Sequence, residues 1–219
     1  ICGLAGYVGP NEAYPFLKTA LNRLEYRGYD SWGVAVANEE GQVKVLKDVG
    51  AHSQSKKTNY LPGHVGIAHT RWATHGKVCE ANTHPIKGGR VGCCGEGVND
   101  CWVVHNGIVE NGDDLRSSLE REGYSFVTET DTEVIAHLIS LELSKSYKAG
   151  VYFQLEQAVA RATKLLKGSF AFLALTQLYP EKLVCYSRGM PLLVTNSGYV
   201  ASDIQALAGY ANAAMRLSS

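Results

Sequence analysis

The stretch ICGLAGYVGP, residues 1–10, sets the first constraint on the fold. Small and apolar residues fill 2–9, and Gly9 and Pro10 end the run, which is the pattern of a buried strand. A cysteine in such a strand is most often a small hydrophobe, so Cys2 taken alone carries no function. The polar residues in the rest of the chain decide whether Cys2 is a nucleophile.

Strand-like and helix-like segments alternate after this strand, and no linker rich in Pro, Gly or Ser divides them. Apolar residues at spacings of three and four predict a helix over 12–25, with Pro15 in its first turn. Residues 32–38 and 42–48 flank the sequence EEG and predict a hairpin. The other predicted strands are 64–69, 101–107, 170–176, 183–188, 191–196 and 199–202. The other predicted helices are 111–123, 130–146 with Thr130 or Thr132 as its cap, and 152–166. Strands at both ends with helices between them predict stacked sheets covered by helices, an α+β fold.

Composition and charge argue against several classes of function. The 219 residues contain 21 Lys and Arg and 21 Asp and Glu, so the formal net charge is zero and the sequence pI is about 7.2. A chain without excess positive charge has little to attract a phosphate backbone or an anionic membrane. The longest apolar runs are far shorter than the ~20 residues that span a bilayer, and we see no signal peptide. We expect a cytoplasmic protein that binds neither nucleic acid nor membrane.

The six cysteines lack the even framework of a small secreted domain, so we expect reduced thiols. Four of them lie between residues 79 and 101, among histidines, which raises the alternative of a zinc-binding structural domain. No Cys-x2-Cys or His-x3-His pair is present there to close a tetrahedral site. The sequence therefore predicts no metal and no cofactor. The loop 87–100, which contains Cys93 and Cys94, receives no predicted role.

Three polar clusters lie at the ends of predicted elements: AHTRWATHG at 68–76, HNG at 105–107 and ETDTE at 129–133. Each has a structural explanation of its own, since Asn-Gly favours turns and Thr-Asp-Thr favours helix caps. Together with Cys2 they supply a thiol nucleophile, a pair of hydrogen-bond donors, a guanidinium and a carboxylate. This combination favours a nucleophilic active site.

Longer motifs carry a resemblance to a known family. They are CGLAGYVG at 2–9, LEYRGYDS at 24–31, GIAHTRWATHG at 66–76, NTHP at 82–85, VVHNGIVEN at 103–111, ETDTEVIAHLI at 129–139, RGMPLLV at 188–194 and ASD at 201–203. In this order they resemble the class II glutamine amidotransferases, and within them the members that make glucosamine 6-phosphate from fructose 6-phosphate. The resemblance implies an N-terminal nucleophile hydrolase fold, a four-layer αββα sandwich, in one domain over 1–219.

The resemblance implies a glutaminase that releases ammonia from L-glutamine. Cys2 would attack the carboxamide carbon after its own α-amine, with an ordinary pKa of roughly 7.7 to 8.0, takes the thiol proton. The side-chain amide of Asn106 and the backbone N–H of Gly107 would stabilise the oxyanion. Arg71 would pair with the substrate carboxylate and Asp131 with its ammonium group. A surface arginine and a helix-capping aspartate are the structural alternatives for the last two.

The same resemblance assigns further positions around the substrate. Thr74 and His75 would help to hold the substrate carboxylate, and Trp72 would lie on a loop that closes over glutamine. Arg27 and Asp30 are expected to form a buried ion pair that supports the site. His84 is also expected to support the site.

The sequence departs from the family at its start and its length. Ile1 precedes Cys2, so the α-amine of Cys2 is free only if Ile1 is removed. The alternative is an inactive glutamine-binding or regulatory domain of the same fold. The sugar isomerase region of the family is absent from this chain, so fructose 6-phosphate would bind through that missing region. We expect the full-length protein to be a homo-oligomer.

Overall fold

The N-terminal strand lies inside the larger of two antiparallel sheets. The computed structural model describes residues 2–74, 76–90, 97 and 99–217. Its strands and helices, in chain order, are β1 Gly3–Val8, α1 Ala13–Arg23, β2 Ser31–Ala37, β3 Val43–Val49, β4 Val65–Arg71, β5 Ile86–Gly88, β6 Cys101–Gly107, α2 Gly112–Arg121, α3 Thr132–Lys148, α4 Leu155–Thr163, β7 Phe170–Thr176, β8 Val184–Arg188, β9 Leu193–Val194, β10 Tyr199–Ala201 and β11 Met215–Arg216. Short 3₁₀ turns lie at Glu25–Arg27, His52–Gln54 and Ile204–Leu207.

The order of strands places β1 between β10 and β4 in the larger sheet. The larger sheet has the order β11-β9-β10-β1-β4-β2-β3, and the smaller has the order β5-β6-β7-β8. β1 pairs antiparallel with β4, so that Gly3 lies opposite Thr70 and Val8 lies opposite Val65. Antiparallel pairing therefore brings the beginning of β1 beside the end of β4.

The alternation of side chains along the strands builds the layers. Along β1, Ala5 and Tyr7 pack in the cluster that contains the buried face of α1, whereas Leu4 packs in the core between the two sheets. Across that core, Leu4 and Ile67 from the larger sheet share a cluster with Leu173 from the smaller one. The opposite face of the smaller sheet packs against α2, α3 and α4. The layers run helix, sheet, sheet, helix, which confirms the predicted αββα sandwich.

The predicted hairpin of β2 and β3 is confirmed, and strand 101–107 is confirmed at both ends. The first helix ends at Arg23 instead of residue 25, because the chain turns there into the 3₁₀ segment. The last helix begins at Leu155 instead of residue 152. Tyr152 has a φ of 51°, which an α-helix excludes, and the side chain of Gln157 accepts the N–H of Gln154 at 2.8 Å to start the helix.

The predicted cap of α3 is wrong. Asp131, not Thr130 or Thr132, occupies the N-cap position, and no side chain caps the helix there. Thr132 is the first helical residue, and its hydroxyl contacts buried histidines instead. None of the helices in the described part of the chain combines the length and the apolar character needed to cross a membrane.

Replacing Gly33 tests how closely the two sheets approach. A Cβ at Gly33 would lie 1.9 Å from the carbonyl oxygen of His84, so Gly33→Ala must push backbone apart. Overpacking of this kind typically costs about 1–3 kcal/mol, and we expect a melting temperature lower by about 2 °C or more.

The matched control is Gly112→Ala at the start of α2, where the nearest atom to a new Cβ is 3.7 Å away. Thermal unfolding followed by circular dichroism should show no loss for this control. Equal melting temperatures for the two variants would contradict the close approach at Gly33.

Candidate active site

Cys2 precedes β1 at the point where that strand meets the end of β4. The backbone N–H of Trp72 donates to its Sγ at 3.2 Å, and the thiol lies 3.5 Å from the Trp72 carbonyl oxygen. The Cys2 side chain is partly buried. Burial raises the pKa of its thiol, while the Trp72 N–H and the charge of Arg71 act in the opposite direction. The thiol is therefore protonated near neutral pH.

The smaller sheet contributes the end of β6 to the same place. The side-chain Nδ2 of Asn106 donates to the carbonyl oxygen of Cys2 at 2.9 Å, across the interface between the sheets. Gly107 follows with a φ of 102°, and a Cβ there would lie 2.3 Å from the carbonyl oxygen of Ser169. Both the conformation and the space at this position require glycine. The strand end is thus fixed beside the thiol.

A cavity of about 260 Å³ opens where these strand ends meet. It is lined by Cys2, His69, Arg71, Trp72, Thr74, His84, His105, Asn106, Gly107, Ile108, Thr130, Asp131, Thr132 and Met190. Eight of the residues proposed from the sequence are therefore brought together. His75 lies outside the described residues. Arg27 and Asp30 do not line the cavity.

The described lining of the cavity contains a positively charged and a negatively charged side chain. Arg71 is buried at the end of β4, and its Nη1 donates to the carbonyl oxygen of Lys77 at 3.1 Å. Asp131 is half-buried, and its Oδ2 accepts the backbone N–H of Val109 at 2.8 Å while Oδ1 lies 3.7 Å from Nδ1 of His105. A guanidinium and a carboxylate in one cavity match the two charged groups of an amino acid.

Trp72 and Thr74 follow Arg71 on an exposed segment at the mouth of the cavity. The Trp72 ring packs edge-on against the ring of Tyr29, with their centroids 5.2 Å apart. The backbone of this segment is tied to the body of the protein by Asp30, whose Oδ2 accepts the N–H of Ala73 at 2.8 Å. Asp30 thus supports the segment that carries the two predicted binding residues.

The expected ion pair between Arg27 and Asp30 is wrong. Nε of Arg27 lies 2.9 Å from Oδ2 of Asp203, and the hydroxyl of Tyr26 donates to the same carboxylate oxygen. The 3₁₀ segment directs Arg27 toward the chain that follows β10, whereas the backbone N–H of Asp30 donates to Arg71 at 3.1 Å. The two residues support different parts of the structure.

Sequence reasoning missed two histidines that line the cavity with Cys2. His69 and His105 are buried with His84 in the floor of the cavity, and burial lowers the pKa of all three, that of His69 to about 3. The signal for His69 was its spacing: on β4 it lies two residues from Arg71, hence on the same face. His84 was proposed from the sequence as a supporting residue, and its ring stacks on His69 with centroids 4.0 Å apart.

The Cys and His residues around this site include those for which the sequence raised a zinc site as an alternative. In the described ranges, no group of three or more His, Cys, Asp and Glu side chains is arranged to hold a metal ion. Cys101 is buried, and its thiol donates to the carbonyl oxygen of Ala136 at 2.9 Å. Cys79 is a free thiol, and Cys93 and Cys94 lie outside the described residues.

Comparison with known proteins places this geometry in a family. The sequence profile described as "Glutamine amidotransferase domain" matches residues 89–209. The chain is 43% identical over 216 residues to the glutamine–fructose-6-phosphate aminotransferase (isomerizing) of Aquifex aeolicus, a match that covers 96% of this chain and 34% of that protein. It is 39% identical over 213 residues to the enzyme of the same name from Escherichia coli strain K12, covering 94% of this chain and 32% of the relative. The chain thus spans about a third of the length of these relatives.

Solved structures agree with this relationship. Glutamine phosphoribosylpyrophosphate amidotransferase from B. subtilis superposes with a TM-score of 0.76 at 28% identity, over 99% of this chain and 44% of that one. A predicted glutamine amidotransferase from Pseudomonas aeruginosa shares the fold alone, with a TM-score of 0.54 at 17% identity. Because the family profile covers more than half of the chain, the chain belongs to the family of glutamine amidotransferase domains.

Proposed function

We propose that this chain hydrolyses L-glutamine to L-glutamate and ammonia, with Cys2 as the nucleophile. The observation that carries the proposal is the convergence of the two sheets at one cavity. The larger sheet contributes the thiol of Cys2 and the guanidinium of Arg71, and the smaller sheet contributes the amide of Asn106. Membership in the glutamine amidotransferase domain family supports glutamine as the substrate.

Substrate binding follows from the charges at the cavity. The buried guanidinium of Arg71 pairs with the α-carboxylate of glutamine, because its planar fork matches two carboxylate oxygens. Asp131 accepts the α-ammonium group. Thr74 and His75 add hydrogen bonds to the carboxylate, and the exposed ring of Trp72 covers the bound amino acid. This orientation directs the carboxamide of the substrate toward Cys2.

The chemical steps begin with a proton transfer. Because burial keeps the thiol protonated, a base must take its proton before attack, and the α-amine of Cys2 is suited to this task. The thiolate then bonds to the carboxamide carbon, and Asn106 Nδ2 and the Gly107 N–H donate to the oxyanion. Collapse of this intermediate expels ammonia, which takes the proton held by the amine. Water then cleaves the thioester to release glutamate and restore the thiol.

The α-amine is available only in a chain that begins at Cys2. When Ile1 is attached, the nitrogen of Cys2 is an amide, which does not accept a proton at neutral pH. We therefore propose that the active form lacks Ile1. A form that retains Ile1 would bind glutamine without turnover, which is the regulatory alternative.

The fate of the ammonia follows from the relatives. They are named glutamine–fructose-6-phosphate aminotransferases, and the chain spans about a third of their length. We propose that the ammonia serves the conversion of fructose 6-phosphate to glucosamine 6-phosphate. In this proposal, a sugar isomerase region outside these residues binds the sugar phosphate.

A glutaminase assay tests the function directly. The chain whose first residue is confirmed as Cys2 by intact mass should release glutamate from glutamine, whereas Cys2→Ala should lose essentially all of this activity. The same chain with Ile1 retained provides the matched control and should be inactive. Glutamine binding by calorimetry without turnover in the Cys2-first chain would favour the regulatory alternative.

Alanine substitutions at Arg71 and Asn106 should change different kinetic constants. Arg71→Ala removes a contact made in both the ground state and the transition state, so KM for glutamine should rise far more than kcat falls. Asn106→Ala removes a donor that matters most when the oxyanion forms. Its kcat should fall by about 100-fold or more, with little change in KM. Steady-state kinetics measures both constants.

The matched control for this pair is Arg121→Ala, which removes an exposed guanidinium from the last turn of α2, outside the cavity lining. This variant should retain both constants. An unchanged KM for Arg71→Ala, or a nearly normal kcat for Asn106→Ala, would show that these roles are assigned to the wrong residues.

The raised pKa of Cys2 predicts how its thiol reacts with an alkylating reagent. Iodoacetamide reacts with the thiolate, so its reaction rate rises with pH and reaches half of its maximum at the pKa of the thiol. The pKa of an unperturbed cysteine is about 8.5, and because the pKa of Cys2 is raised, this midpoint should lie at a higher pH for Cys2 in the folded chain. Arg71→Ala should move the midpoint further up, because Arg71 favours the thiolate. Mass spectrometry of the Cys2 peptide measures the rate, with the urea-unfolded chain as control. A folded midpoint at or below the unfolded one would contradict the effect of burial.

A further inference from the structure

The imidazole of His69 faces two oxygen atoms at the back of the cavity. Its Nε2 lies 3.0 Å from the carbonyl oxygen of His105 and 3.2 Å from Oδ1 of Asn106. A carbonyl oxygen and an amide oxygen only accept hydrogen bonds, so Nε2 carries a proton and donates to both. Burial and the neighbouring His105 lower the pKa of His69 to about 3, so the ring is neutral and its single N–H is the one at Nε2.

This donor determines which way the carboxamide of Asn106 points. On one side the amide meets the Nε2–H of His69, and on the other it meets the carbonyl oxygen of Cys2 at 2.9 Å from Nδ2. A donor on one side and an acceptor on the other satisfy only one of the two amide orientations. Among the hydrogen bonds of the described residues, Oδ1 of Asn106 accepts from His69 alone.

We propose that His69 is a positioning residue that holds the Nδ2 donor of Asn106 toward the reacting carbonyl; this inference rests on the proposed glutaminase function. Rotation of the amide by 180° would present Oδ1 to the developing oxyanion and would repel it. Fixing the donor before the reaction begins is what makes an oxyanion hole effective. His69 itself does not touch the reacting atoms.

The ring of His69 is held in place by a second histidine. The rings of His69 and His84 stack with a 13° angle between their planes. Nδ1 of His84 accepts the backbone N–H of His105 at 3.2 Å, so its Nε2 carries the proton and donates to the hydroxyl of Thr132 at 3.2 Å. The first residue of α3 thus fixes the support beneath His69. Thr132, His84 and His69 thus link the start of α3 to the amide of Asn106.

Glutamine and asparagine at position 69 present the same polar group at different distances from the backbone, so the two variants distinguish a positioning role of His69 from a packing role. The side-chain amide nitrogen of glutamine is as many bonds from Cβ as Nε2 of histidine, whereas that of asparagine reaches only as far as Nδ1. His69→Gln keeps a donor for Oδ1 and should hold kcat within about threefold of the original chain. His69→Asn should lower kcat by about 10-fold or more, with KM for glutamine changed little. Equal kcat values for the two variants would overturn the proposal.

A double-mutant cycle with Asn106→Ala tests whether His69 acts through Asn106. If it does, His69→Asn should cost about 10-fold in the original chain and nothing further when Asn106 is already alanine. A purely structural role would cost the same factor in both backgrounds, and that result would overturn the proposal. Circular dichroism melts of each variant identify a folding defect, and the His69→Gln and His69→Asn pair then decides between the two roles.

The proposed function and this inference fail in different ways. If the unmodified Cys2-first chain did not hydrolyse glutamine, both the proposed function and the proposed role of His69 would be contradicted. If the chain is active but the effects of His69→Asn and Asn106→Ala on kcat are additive, only the proposed role of His69 is contradicted. An active chain with a non-additive cycle, and with activity restored by glutamine at position 69, supports both.

Discussion

The packing of the two sheets against each other is the constraint on which the rest of the structure depends. Cys2 directly precedes β1 of the larger sheet and Asn106 lies in β6 of the smaller one, so their 2.9 Å contact exists only while the sheets keep their spacing. Glycines allow that spacing: a Cβ at Gly6 would lie 2.7 Å from Cδ1 of Leu173 on the opposite sheet. The apolar core between the sheets supplies the driving force, and the absence of a side chain at Gly6 sets how close the sheets come.

Placing polar groups behind this core is costly unless each of them has a partner. The three histidines of the floor are buried, and a charge on any of them would be strongly disfavoured. The structure keeps them neutral and links them through backbone groups and the Thr132 hydroxyl, while Nδ1 of His69 and Nε2 of His105 have no hydrogen-bond partner among the described residues. Neutral donors of fixed direction orient the site without adding charge to it. The charges are left to Arg71 and Asp131, the two lining residues that we propose bind the substrate.

The sequence predicts most elements and most of the cavity lining, for reasons that differ from residue to residue. Cys2, Arg71 and Asn106 could be found because their chemistry lies within contiguous motifs at strand ends. The pairing of Arg27 with Asp203 could not, because 176 residues separate them and local pattern contains no information about which chain segments meet. The spacing of His69 places it on the same face of β4 as Arg71, but alternation along a fully buried strand does not show which polar group a side chain contacts. The left-handed Tyr152 likewise gives no signal, because its φ follows from its surroundings and not from its type.

The position of Asp131 shows how the outer helical layer also determines the site. Glu133, two residues further on, accepts the backbone N–H groups of Val127 and Thr128 at 2.9 and 2.8 Å and lies 3.2 Å from His137. Burial alone would raise the pKa of this carboxyl, but these hydrogen bonds outweigh it and leave the pKa below its ordinary value. The ionised form therefore ties the loop before α3 to the helix itself. The loop ends at Asp131, whose side chain does not cap α3 and instead accepts the N–H of Val109. The carboxylate that we propose for the substrate is therefore fixed both by the start of α3, in the helical layer, and by the segment that follows β6 of the smaller sheet.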